Sequence, residues 1–323
     1  MIQVKRVEAL FHVRKLRGGS QPVLVQASDG FLYVVKFLNN PQGSNLLFNE
    51  ALGTELFRGA GLPVPEWRLV HISEEFLDRN QACWMELEHG LLRPKAGLCF
   101  GSRFLNLRNT SVFEILSRTS FNRISNRRDF CTAWVLDALC GHADNRQAIF
   151  IERDTKSLEA FFIDHGHLFG GASGTASPSF LASRYLDSRV YTGARARDFK
   201  DIQRAIQRLD LAALSDVAGH LPEGWSTESA LLNFERFRRR VTDAVLLKDA
   251  VLCVQRMVER TEGNHDRMLA GCTIELKCED MYSQILPSRQ DGRVDCGRAD
   301  FAGGPGRLRP ETVYPYLCKA AGF

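Results

Sequence analysis

The chain has no run of about 18 apolar residues, the length a membrane-spanning helix needs, so no spanning segment is predicted. Its charge has no dominant sign. There are 42 basic and 38 acidic residues, a net +4, too mild for a surface built to hold nucleic acid. The cluster Arg236, Arg238, Arg239 and Arg240 reads as a solvated helix face. Met1-Ile-Gln-Val-Lys-Arg leads into mixed polar sequence rather than the apolar core of a signal peptide. No internal repeat is present. No Gly-x-Ser-x-Gly elbow occurs, which removes support for a serine hydrolase. Cysteine is not scarce, but nine is an odd number, and Cys83, Cys131, Cys140 and Cys253 sit within apolar segments. They read as reduced core thiols, as expected of a cytoplasmic protein. Cys272, Cys278 and Cys296 with His265 are spaced too loosely for a closed zinc site.

What is present is enough for two lobes or domains: 323 residues, 44% of them hydrophobic. Residues 2–38 read as strands. Val23 to Ala27 and Phe31 to Phe37 form a hairpin about the Asp29-Gly30 turn. Leu46 to Gly59 reads as a helix with Leu47, Ala51, Leu52 and Leu56 on one face. Strands are predicted at Trp67 to His71 and Gly97 to Leu105. From Val112 the pattern turns helical. Asn126 is the expected N-cap of a largely buried helix running to Cys140. Two short strands follow, around Ile149 to Ile151 and Ala160 to Ile163. Helices are expected at about 197–218 and 227–262, then a Gly- and Arg-rich tail too poor in apolar residues to fold. The order predicts an α+β fold. Its parts are a β-rich N-terminal lobe with one helix (1–108), a mainly helical C-terminal lobe (109–275) and a disordered tail (276–323).

Two aspartates dominate the chemistry. Asp144 lies in Cys140-Gly-His-Ala-Asp-Asn-Arg-Gln147, a polar break after an apolar helix. Asp164 lies 20 positions later, in Ile163-Asp-His-Gly166 at a strand end. Phosphoryl transfer needs one carboxylate to orient a hydroxyl and another to hold the metal on the nucleotide phosphates. Lys36 ends the strand Tyr33-Val-Val-Lys36, where it can neutralise phosphate charge. Glu50 or Glu55 could hold that lysine. They are five residues apart, about 140° around a helix, so only one can face it, and Glu50 is preferred because it follows the loop at the helix start. Gly18, Gly19 and Ser20 form a turn whose N–H groups could cover phosphates. His142, His165 and His167 read as polar residues near the cleft rather than as a metal cluster.

The assembled pattern resembles the HipA-like kinases, relatives of the protein kinases and phosphatidylinositol kinases, over roughly residues 1–265. It is carried by Tyr33-Val-Val-Lys36-Phe, Asn49-Glu50, Gly61-Leu-Pro-Val-Pro65, Phe100-Gly-Ser-Arg-Phe-Leu105, Asp137-Ala-Leu, Asp144-Asn145-Arg146 and Ile163-Asp164-His-Gly166. The resemblance implies a bilobal protein-kinase-like fold, ATP, and Mg²⁺ or Mn²⁺ in the cleft. By it, Lys36 pairs the phosphates, Asp144 is the catalytic carboxylate and Asp164 a metal ligand. Arg103, Phe104 and Leu105 lie on the hinge-side strand beside the nucleotide. The chain departs from the family loop at His142, where asparagine is usual. It departs again at Ile149, where a metal-ligand asparagine is usual and for which Asn145 or Gln147 could substitute. The implied reaction passes a γ-phosphoryl group to a hydroxyl of a protein, the chain itself being one candidate. The alternatives are a nucleotide-binding regulatory module without turnover and a small-molecule kinase.

Overall fold

The computed structural model describes residues 5–105, 111–152, 156–175 and 183–263. The expected lobe boundary at 108/109 and the expected tail 276–323 lie outside the described residues, as do Cys272, Cys278, Cys296 and His265.

Five strands close into a barrel: β1 (Arg6–Lys15), β2 (Val23–Ala27), β3 (Leu32–Lys36), β4 (Trp67–Ile72) and a later strand, Gly97–Arg103. The β2–β3 hairpin forms about Asp29-Gly30 with Val25 opposite Tyr33. Closure comes from a parallel pairing of β1 with β4, Val7 opposite Val70. Strand side chains alternate, so Tyr33 and Val35 enter the barrel core with Val23, Val25, Val70 and Cys99. Val34 and Lys36 consequently face the opposite way, onto the cleft. That alternation is why Lys36 belongs to the site and not to the barrel core.

Helix α1 (Leu46–Gly59) occupies the predicted span, but it is not one-sided. Eleven of its residues are buried, among them Asn49 and Glu50. It is covered on several sides, with Phe57 against both Phe162 and His165. The four apolar positions read from sequence mark only one of its buried faces.

Several elements depart from the sequence expectations for local reasons. Ser73 accepts the N–H of Phe76 and starts a short helix, α2 (Glu74–Arg79), where none was expected. Three-residue strands β5 (Met85–Leu87) and β6 (Gly90–Leu92) follow, then β7, the barrel strand Gly97–Arg103. After Val112 the chain is not yet helical. It forms a two-residue strand, β8 (Val112–Phe113), and a 3₁₀ turn, Arg118–Arg123. Both residues of β8 gain their state only by pairing with a strand that lies far ahead in sequence.

Helix α3 (Asp129–Cys140) follows. Asn126 does not cap it. Its side chain is taken by the backbone N–H of Ala160 (2.9 Å) and C=O of Ala160 (3.0 Å), a tertiary bond that outcompetes the cap. Gly141, at φ 70°, ends α3 in the left-handed conformation. Strands β9 (Gln147–Glu152) and β10 (Leu158–Ile163) then form a hairpin in which Gln147 faces Ile163.

Each of the two long helices expected near the end is a pair. Asp210 accepts the N–H of Ala213 and separates α4 (Ala196–Gln207) from α5 (Leu211–Gly219). Asp243 accepts the N–H groups of Val245 and Leu246 and separates α6 (Glu228–Thr242) from α7 (Ala244–Gly263). An aspartate that caps a new helix is a stronger break than the continuing apolar pattern is a bridge. Among the described residues, no helix is long and apolar enough to cross a membrane.

Candidate active site

A cleft of about 1090 Å³ opens between the barrel strands and the β9–β10 hairpin. Of the residues singled out by sequence for this chemistry, Gly18, Gly19 and Ser20, Lys36 and Glu50, Arg103 to Leu105, Asp144, Asn145, Gln147 and Asp164 line it.

The β9–β10 hairpin explains how the two aspartates meet. Asp144 stands three residues before β9 and Asp164 one residue after β10, so antiparallel pairing of Gln147 with Ile163 returns the second aspartate to the first. Asp164 sits at φ 59°, a left-handed conformation rare outside glycine. Its Oδ1 accepts from Lys36 Nζ at 2.7 Å and its Oδ2 from Gln147 Nε2 at 2.9 Å.

Lys36 also pairs with Glu50, on the first half of α1. The alternative, Glu55, points elsewhere: it accepts from Trp67 Nε1 at 2.7 Å and pairs with Arg58. The Glu50 carboxylate additionally accepts the N–H groups of His165 (3.2 Å) and Gly166 (2.9 Å), binding α1 to the turn that carries Asp164. Asn49 completes the attachment. Its Nδ2 donates to the carbonyls of Gly166 (2.9 Å) and Leu168 (2.7 Å).

Burial opposes the Lys36 charge, but Asp164 and Glu50 outweigh it and hold the ammonium above its ordinary range. Burial likewise opposes ionisation of Asp164, and Lys36 overrides it, holding that carboxyl well below the usual range. Burial pushes the Glu50 carboxyl up, and Lys36, the largest opposing influence, does not fully offset it. One ammonium facing two carboxylates leaves the cluster with an excess of negative charge, which suits an incoming cation.

The glycine turn has two parts. Gly18 and Gly19 are exposed, with Gly18 at φ 129°, while Ser20 is buried and gives its carbonyl to Asn40 Nδ2 at 2.7 Å. Gln21 fixes the turn by exchanging bonds of 2.7 Å with the Glu86 backbone. At the end of β7, the N–H groups of Arg103 and Phe104 are spent on the carbonyls of Glu66 (2.7 Å) and Leu32 (2.8 Å). The Arg103 guanidinium lies 3.6 Å over the Phe31 ring. Asp144, half-buried, accepts its neighbour Asn145's N–H at 2.7 Å.

Sequence reasoning assigned no role to Asp137 or Arg146. Arg146 is 3% exposed and Asp137 0%, and they form a buried pair beneath the site. A charged residue inside the apolar run of α3 was the available signal, since a buried carboxylate needs a partner. His142 and His165 belong to this buried network. Among the described residues, no group of three or more histidine, cysteine, aspartate or glutamate side chains could hold a metal ion. The cleft does offer oxygen donors, the carboxylates of Asp144 and Asp164 and the amides of Asn145 and Gln147. Such a set fits a hard divalent cation completed by phosphate oxygens and water.

The model of the HipA-like kinases matches residues 11–246 of the chain. Among solved structures, the Helicobacter pylori proinflammatory kinase CtkA is similar at a TM-score of 0.52 and 13% identity, over 79% of this chain and 100% of that one. The Golgi casein kinase with Mn/ADP bound gives a TM-score of 0.44 at 11% identity, over 77% and 73% of the two chains. No curated protein sequence matches significantly. CtkA supports a kinase-like α+β fold.

Proposed function

The chain belongs to the HipA-like kinase family, and from that premise we propose that it is an ATP-dependent kinase passing the γ-phosphoryl group to a hydroxyl of a protein, itself included. The observation that carries this reading is the Lys36–Glu50–Asp164 cluster in a cleft that also holds Asp144. The barrel with α1 acts as an N-terminal lobe and the helical remainder as a C-terminal lobe, with the nucleotide between them. Lys36, held by Glu50, contacts the phosphates. Gly18, Gly19 and Ser20 cover them from the β1–β2 turn. The strand exit at Arg103, Phe104 and Leu105 lies along the base. Asp164, with Asn145 or Gln147, would hold Mg²⁺ or Mn²⁺, which when bound neutralises charge on the phosphates. Asp144 orients the acceptor hydroxyl and takes its proton. In phosphoryl transfer such positioning and charge stabilisation supply most of the rate.

A second reading, a nucleotide-binding module with little turnover, is favoured by one observation: an aliphatic side chain, Ile149, lines the cleft beside Gln147. Incubation with γ-labelled ATP and Mg²⁺ or Mn²⁺, scoring labelled protein and released phosphate, separates the two. Label or phosphate release above an Asp144→Asn control supports the kinase. A stability rise with metal–ATP but no transfer supports the module. No stability rise at millimolar metal–ATP removes both.

A further inference from the structure

Asp164 needs an explanation beyond its ion pair with Lys36. Its left-handed backbone, φ 59°, is one that aspartate adopts more readily than most residues with a side chain but still at a cost, and here its neighbours hold it there. Glu50 holds the N–H groups after it. The carbonyls at and before it are held by Arg146. Arg146 Nη1 donates to Ile163 O at 3.0 Å and Asp164 O at 3.3 Å, and lies 3.3 Å from His165 Nδ1. The other edge of the same guanidinium is gripped by Asp137 of α3, with Nε donating to Oδ2 at 2.9 Å and Nη2 to Oδ1. Its face lies 4.7 Å from the centre of the Phe57 ring of α1. Thus one planar side chain ties α3, α1 and the main chain of the proposed metal ligand together.

A plain structural role predicts less than this. A buried ion pair adds little net stability over a well-packed apolar pair, so burial alone does not account for Asp137–Arg146. What an apolar pair, or a lysine, cannot reproduce is the fork of donors that spans a carboxylate on one side and two carbonyls on the other.

We propose that Arg146 is a positioning residue: clamped by Asp137, it fixes the main chain at Ile163–His165 and so aims the Asp164 carboxylate into the cleft. This deepens the proposed function and rests on Asp164 as a metal ligand. Arg146, 3% exposed in the wall of the cleft, acts on cation affinity through Asp164, because its donors are taken by Asp137 and the Ile163 and Asp164 carbonyls.

The test is Mn²⁺ binding in the presence of ADP, followed by electron paramagnetic resonance on the full chain, which needs no turnover. Arg146→Lys is expected to fold, to bind Mn²⁺ at least tenfold more weakly, and to bind metal-free ADP within threefold of the parent. Raised Mn²⁺ should restore nucleotide-linked stability. Parent-like Mn²⁺ binding in folded Arg146→Lys overturns the proposal. If that variant does not fold, the paired change Asp137→Leu/Arg146→Met removes both charges together. It is expected to melt near the parent with the same loss of Mn²⁺, and parent-like Mn²⁺ binding, or failure of both variants to fold, overturns the proposal in favour of a purely structural pair. Asp164→Asn separates the premise: if it binds Mn²⁺ like the parent, Asp164 is not the ligand and the inference falls with that reading.

Discussion

Lys36 Nζ lies 2.7 Å from Asp164 Oδ1 across 128 positions of sequence, and the same ammonium pairs with Glu50. A single cation therefore serves two carboxylates that would otherwise face each other. Its removal has a consequence in the nucleotide-free protein as well as in the complex.

Lys36→Ala is expected to lower unfolding stability by about 3–5 kcal/mol, the usual result of stranding a buried charge, and to weaken ATP binding. Urea unfolding and an ATP titration measure the two effects. Adding Glu50→Gln should recover part of the stability but none of the binding. An unchanged unfolding midpoint in Lys36→Ala would show that the cluster carries no such strain.

Among the described residues Asp144 makes no ion pair with Lys36, and it accepts the Asn145 N–H. Asp144→Asn should therefore keep nucleotide binding and lose roughly 10²–10⁴-fold in phosphotransfer, the range for a lost general base. Thermal shift with Mg-ATP reads the first and labelled-phosphate transfer the second. Parent-like transfer would remove Asp144 from the catalytic role.

Gly53 sits where α1 touches the Asp164 turn. A Cβ there would lie 2.6 Å from His165 Cβ and 2.5 Å from a Leu168 methyl. Alanine is the better helix former by about 1 kcal/mol, yet overpacking costs about 1–3 kcal/mol. Gly53→Ala is expected to destabilise, and to weaken metal–nucleotide binding because the displaced residue adjoins Asp164. A variant more stable than the parent would mean the turn yields without cost.

Burial holds the His142 imidazole below its ordinary pKa; Asp137, the largest opposing influence, does not offset it, and Arg146 adds to the lowering. The neutral ring faces Asp137 Oδ1 at 3.4 Å and Arg146 Nη2 at 3.4 Å. The unfolded chain takes up a proton near pH 6.5, before the folded chain does. The stability this histidine contributes is thus complete above about pH 6.5 and is lost as pH falls below it, with a limiting slope of about 1.4 kcal/mol per pH unit. Denaturant melts between pH 7.5 and 5.5 should show the decline, and His142→Asn should lessen it, leaving the share of His165, whose imidazole burial also holds well below its ordinary pKa. Equal slopes in parent and variant would place the titration elsewhere.

Local pattern was sufficient for much of this protein. Alternation placed Val35 in the barrel and Lys36 opposite it, and helical spacing delimited α1 and allowed only one of Glu50 and Glu55 to face the lysine, which in the structure is Glu50. The polar break after α3 and the glycine after Asp164 marked the two aspartates, because turns and apolar runs are written in adjacent residues. Tertiary structure decided the rest. Asn126 had every local qualification as a cap, but the backbone of Ala160, 34 positions away, took its side chain. Val112 and Phe113 became a strand only because Ile151 and Phe150 stood ready to pair with them. The apolar run around Asp137 forecasts that α3 is buried, but not that Arg146, nine residues on, is the partner of that carboxylate when the helix is buried. Once it is, neither charge can stay unpaired, and burial with pairing over distance is a property of the folded chain that no local window contains.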